Sequence, residues 1–279
     1  MPATFTIMRL TIHEAIRRRV LVAALLCGLA FLILFGIGFH FVVLENSRDR
    51  SIADRLMARA IYAIFTLAGL YAANFLTVMT AVLLPVDTLS GEISSGVMQT
   101  IASKPIRRSS IVLGKWLGFA VIMTGYLTLL GGGVVTIAKL RSGVVPPDLH
   151  IGLPLMMVEA LLLLSVSIAA GTRLSTVTTG VVAFGLYGLA FLGGWVEQLA
   201  TFTGNHTLRT VGTVASLIMP SESMWQLAAS HMQPPIVRGL NAGPFAYGSV
   251  PTLAMVVWAG GYILVMIAVA LRQFSKRPL

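Results

Sequence analysis

Charge is scarce in this sequence. Only 11% of its 279 residues are Asp, Glu, Lys or Arg, while 56% are hydrophobic, and the mean hydropathy is +0.87. A soluble domain has roughly a quarter of its residues charged. A soluble fold is therefore excluded, and an all-α polytopic membrane protein is expected. Acids are scarcer than bases, 10 against 20. The bases lie in short clusters beside apolar runs, a distribution that fits membrane orientation and anionic headgroups rather than nucleic acid. The single cysteine, Cys27, sits in an apolar run. It excludes an intramolecular disulfide and any multi-cysteine metal or redox motif. No G-x-x-x-x-G-K-[ST] occurs, so P-loop nucleotide binding is excluded. H-E-x-x-H, a nucleophile elbow and carboxylates paired at catalytic spacing are missing as well. The expectation is that this chain is not an enzyme and holds neither cofactor nor metal. Met219, Met224, His231 and Met232 lie near one another, but 13 methionines are spread along the chain, so the grouping carries no metal-specific signal.

What is present is apolar length. Six runs are long enough to span, at about 20–44, 60–86, 111–138, 151–170, 178–196 and 251–271. The first exceeds the roughly 30 Å of hydrocarbon and implies tilt. No soluble stretch could bury a core of its own, so residues 1–279 are expected to form a single membrane domain. Residues 1–19 are too polar to cross. Phe5, Met8, Ile12, Ala15 and Ile16 share one helical side, with Arg9, His13, Glu14 and Arg17 on the other, and Ile7 and Leu10 break the pattern. That is an amphipathic helix lying at the interface. A cleaved signal peptide is disfavoured because the following run is too long and lacks a small-x-small cleavage site. Residues 45–59, rich in both charge signs, are expected to form a short loop or polar helix. The second span is expected to end at Pro85, which cannot donate to the helix ladder. Gly180, Gly185 and Gly188 in the fifth run are expected to admit close helix packing. Between the fifth and last runs, residues 197–250 are half apolar, with Val211, Val214, Leu217 and Ile218 at helical spacing. Pro220 and Ser221 then open a second helical stretch that contains Met224, Trp225 and Leu227. Six spans put both termini on one side. That side carries 12 of the bases and the other 8, so the termini are expected to be cytoplasmic.

Residues 87–110 are the polar stretch between the second and third runs. Leu89, Ile93, Val97 and Ile101 recur every four residues, which aligns them on one side of a helix. Asp87 and Glu92 come first, and Lys104, Arg107, Arg108 and Lys115 last, matching the dipole of such a helix. Glu92, Ser95, Gly96, Lys104, Pro105, Arg108, Gly114 and Lys115 together resemble the loop between the second and third membrane helices of ABC-2 type transporter permeases. The alternative is an ordinary basic loop. LIMPSESMWQLA, from Leu217 to Ala228, is similar to the Pro-containing external segment of that group. By length and layout the chain most resembles the permeases of the nitrous oxide reductase maturation type.

The resemblance implies six transmembrane helices with an N-terminal elbow helix, a cytoplasmic coupling helix and re-entrant-like external helices before the last span. It implies a permease subunit of a bacterial inner membrane that moves a substrate, mostly by export in this family. ATP and Mg would be bound by a separate ATPase subunit, and a second permease copy, identical or paralogous, would complete the path. Glu92, Ser95, Gly96, Val97, Ile101, Lys104 and Arg108 are the expected ATPase-coupling contacts. The alternative function is a non-transporting anchor or mechanical relay, passing ATPase motion to an external accessory protein through residues 197–250, with Trp225 exposed. A membrane-embedded enzyme would need polar residues clustered at one depth. No residue names the substrate.

Glu159, within the fourth run, stands apart. A charged side chain at mid-bilayer costs on the order of 3 kcal/mol by insertion scales. It is expected either to wall a translocation path or act as a proton-linked switch, or to be a structural acid bonded to a neighbouring helix near Asn74, Ser165 or Ser167. Asn74 carries the same two readings, a path residue or an interhelical hydrogen bond.

Overall fold

The computed structural model describes residues 3–46, 51–94, 107–234 and 250–276. Among these residues the chain is all helical, with nine helices and no strand. They are α1 (Ala3–Arg17), α2 (Arg19–Asn46), α3 (Ile52–Ser94), α4 (Arg108–Ser142), α5 (Leu149–Gly171), α6 (Thr176–Thr203), α7 (His206–Ile218), α8 (Ser221–Met232) and α9 (Leu253–Ser275). Six of them, α2 to α6 and α9, are long and apolar enough to cross a membrane.

Burial ranks the six. α3 and α5 are the most enclosed, whereas α2 and α9 keep most of their surface outside. α2 is apolar on every side, so one side packs while the rest is suited to lipid. Its Phe35 stacks on Phe65 of α3 at 5.5 Å, and Tyr126 of α4 donates to the Ala24 carbonyl at 2.8 Å. Local sequence sets the helix ends. Gly143, at φ 69°, closes α4 by donating its N–H to the Lys139 carbonyl, a left-handed cap that glycine adopts without strain. Ser175 accepts from Thr178 N–H at the start of α6, and Asn205 caps the start of α7.

The candidate span closes at Val86, close to the expected end, but the helix does not stop at Pro85: α3 continues through it to Ser94. The missing donor costs about 3 kcal/mol in a solvated helix. In this bundle Leu84 and Val86 on either side are buried, and that packing holds the helix together across the proline. Residues 87–94 and 108–110 of the sequence-defined coupling stretch thus belong to α3 and α4.

α1 lies along the first turns of α4. The buried residues are Ile7, Thr11 and Ala15, while Phe5, Leu10 and Ile16 face outward. Two glycines on α4 select this face. A Cβ on Gly114 would lie 2.7 Å from Ile7 Cβ and 2.8 Å from the Thr4 carbonyl, and one on Gly118 would lie 2.9 Å from Thr11 Cβ. No other side chain fits under α1, and Thr11 satisfies its hydroxyl on the Ile7 carbonyl at 2.9 Å.

At the same end of the bundle, Arg108 Nη1 donates to the Ser275 carbonyl at 3.1 Å, and Thr172 Oγ1 donates to Gln273 Oε1 at 2.7 Å. The starts of α1 and α4 and the last turns of α5 and α9 therefore share one end, around a core that includes Ile7, Ile111, Phe119 and Phe274. A second core, with Phe35, Phe39, Leu70, Leu163 and Trp225, fills the rest of the bundle.

Gly180, Gly185 and Gly188 do not serve close packing within the chain, since nothing lies within 4 Å of a Cβ placed on any of them. The close approach on α6 falls instead at Gly193 and Gly194. A Cβ there would overlap Ala215 of α7 and Glu222 of α8.

Candidate functional site

Glu159 sits in the middle of α5, 1% exposed, facing α3. Asn74 of α3, 2% exposed, donates Nδ2 to Glu159 Oε2 at 2.8 Å. Of the three partners considered for Glu159, the structure selects Asn74. Ser165 instead accepts from Trp116 Nε1 at 2.9 Å, and Ser167 donates to the Val82 carbonyl at 3.1 Å. The bond satisfies only half of each group. Asn74 Oδ1 and Glu159 Oε1 have no hydrogen-bond partner among the described residues.

The surroundings add further polar groups. Glu222, in the first turn of α8, is 6% exposed and acts electrostatically on Glu159, Tyr71 and Tyr187. Four helices thus converge: α3 with Tyr71 and Asn74, α5 with Glu159, α6 with Tyr187, and α8 with Glu222. Trp225 closes the cluster, with its ring 5.0 Å from that of Tyr71. Trp225 is fully buried, which corrects the expectation of an exposed tryptophan and removes it as a docking residue for an external partner. Almost all of α8 is enclosed by α5, α6, α3 and α9, because Gly194 leaves room on α6 for Glu222 and Gln226, and Gly152 leaves room on α5 for Met232.

Gln226 and Ser223 also line a small cavity of about 110 Å³ between α7, α8 and α9, with Glu197 at its wall. That volume suits a few water molecules rather than an organic substrate. The arrangement is chemically fit to hold protons and order water. It brings no nucleophile next to a base.

Sequence reading passed over Glu222, Tyr71 and Tyr187. Glu222 follows Pro220 and looks like an ordinary first-turn acid. The signal that points to it is the pair Gly193-Gly194, which marks where two short helices press against α6.

The expected coupling residues are only partly placed. Glu92 lies in the last turns of α3, with its side chain outside the described residues, and Ser95, Gly96, Val97, Ile101 and Lys104 lie outside them altogether. Arg108 opens α4 and bonds Ser275.

Burial pushes the Glu222 carboxyl up from its ordinary 4.5 to about 8. The folded chain then holds a proton that the unfolded chain releases, so this group's contribution to stability is fully present below about pH 4.5 and is lost as pH rises towards 8. The apparent unfolding temperature of the solubilised chain should drop across this window. Glu222→Gln should flatten that drop, and an unchanged slope would contradict the assignment. At the interhelical bond, Asn74→Leu should cost about 1–3 kcal/mol by leaving Glu159 without a donor. Adding Glu159→Leu should recover most of the loss, since both polar groups are then gone. Strictly additive losses in thermal unfolding would show that the two residues are not coupled.

No curated protein matches the chain at a significant level. A protein-family model described as ABC-2 family transporter protein matches residues 6–279. Together with six apolar helices of spanning length, that match shows that the chain belongs to the ABC-2 family of transporter membrane proteins.

Proposed function

We propose that this chain is the permease subunit of an ABC transporter, driven by ATP hydrolysis on a separate ATPase subunit that docks on the segment joining α3 to α4. The observation that carries this reading is the mechanical layout at that end of the bundle. α3 and α4 flank that segment in the chain, α1 is seated on α4 over Gly114 and Gly118, and Arg108 ties the start of α4 to the end of α9. A push there reaches α1, α3, α4 and α9 together, and rigid-body movement of such a unit is the usual way spans are re-aimed between inward- and outward-facing states.

In this reading Glu92 and Arg108 make the polar docking contacts, with Ser95 and Lys104 beside them. Gly96 allows close approach, and Val97 and Ile101 supply the apolar side. The termini face the cytoplasm of a bacterial cell, a second copy or a paralogue completes the path, and transport is export. The narrower likeness to permeases of the nitrous oxide reductase maturation type rests on chain length and layout. Asn74 is carried by the helix that leads into the docking segment, so a shift of α3 changes the donor to Glu159. This is how the pair would line or gate a path.

The test is ATP hydrolysis by the ATPase co-purified with the chain. Glu92→Arg should lower permease-stimulated hydrolysis at least about tenfold, the scale expected for reversing a charge in a docked pair, while thermal unfolding of the chain stays as in the wild type. Unchanged stimulated hydrolysis would contradict the docking assignment.

A further inference from the structure

Away from the buried acids, α2 and α4 enclose a trough of about 480 Å³ on the outside of the bundle. Leu32, Gly36 and Ile37 of α2 and Ile137 of α4 form its apolar wall, and His40 and Arg141 stand at one end. This volume lies within the roughly 300–1,000 Å³ of small-molecule sites.

Two physical features narrow the occupant. The first is length. From Leu32 to His40 the wall runs eight residues along α2, about 12 Å at the helical rise. One leaflet of hydrocarbon is about 15 Å deep. The trough is therefore long enough to take most of an acyl chain in one leaflet, and its polar end lies at the last turn of α4. The second is charge. Arg141 Nη1 lies 3.3 Å from His40 Nδ1. The guanidinium can only donate, so Nδ1 accepts and the imidazole keeps its proton on Nε2. Among the described residues no carboxylate pairs with Arg141. Its remaining N–H groups and the His40 Nε2–H are left as donors at the mouth of an apolar slot, with Lys139 exposed in the same turn. Cationic fork donors at one end of an acyl-length trough match a phosphate with a hydrocarbon tail.

We propose that the trough between α2 and α4 binds one anionic phospholipid, with its phosphate on Arg141 and His40 and an acyl chain along Leu32, Gly36, Ile37 and Ile137. Gly36 forms part of the floor: a Cβ there would meet only Ile137 Cδ1, at 3.7 Å, so a larger side chain would project into the slot.

The test uses the full chain in detergent titrated with phosphatidylglycerol, with bound lipid counted by native mass spectrometry. The wild type should retain one lipid more tightly than the rest. Arg141→Ala should weaken it about fivefold, the equivalent of one basic residue at a membrane surface, and Gly36→Phe should abolish it by filling the slot. Gly125→Phe, placed where nothing lies within 4 Å, should leave it unchanged. Retention that is the same in the wild type and in both trough variants would overturn the proposal. So would a disulfide between two copies through Gly36→Cys in a Cys27→Ser background, because the trough would then be covered by a second chain.

Discussion

A carboxyl group inside a membrane-spanning bundle has no water to turn to, and the packing around Glu159 follows from that constraint. The cost of leaving it alone is several times that of an ordinary surface defect. α3 therefore presents Asn74 to it at 2.8 Å, and α8 is drawn into the bundle with Glu222 and Trp225 instead of lying on its outside. Glycines on the flanking helices make room for that short helix. The result is a four-helix meeting point that gathers two buried carboxyl groups and an amide at the centre of the bundle. Buried networks of this kind resist small shifts and respond sharply to large ones, since each remaining hydrogen bond is strong in a low dielectric and costly to lose.

The two ends of the bundle are built differently. One end is knit by short-range bonds between chain segments far apart in sequence: α1 on α4, Arg108 on Ser275 and Thr172 on Gln273. The other end is packed by aromatic rings between α2 and α3 and capped by α7 and α8, with Trp258 of α9 bonding the Leu217 carbonyl at 3.0 Å. α3 and α5 run through both. The Asn74–Glu159 bond joins these two helices, so any motion of the knit end relative to the capped end passes by that bond.

The number of spans was legible because hydropathy over twenty residues is a strong signal, and the sequence-based limits of the fourth span agree with α5 to within two residues at each end. What failed were readings that depend on a neighbour. Pro85 looks like a stop, yet helix–helix packing carries α3 across it. The side of α1 that meets α4 was not read from the sequence, because Gly114 and Gly118 on α4 are what seat Ile7 and Thr11 there. Trp225 and Glu222 lie in a segment polar enough to look external, and only the glycine pair on α6 reveals that it is enclosed. Asn74 was legible as a partner for Glu159 because intramembrane polar residues seek each other. Which of three candidates it would be was a matter of helix register, which the sequence does not carry.

The central claim is that this chain is the membrane half of a machine whose fuel is used elsewhere. The most direct measurement is purification of the chain from its native host in mild detergent, with mass spectrometry of whatever accompanies it. A stoichiometric ATPase subunit is the predicted result. Recovery of the chain alone, under conditions that hold other ABC complexes together, would contradict the account and leave the buried Glu159–Glu222 cluster as the centre of a different function.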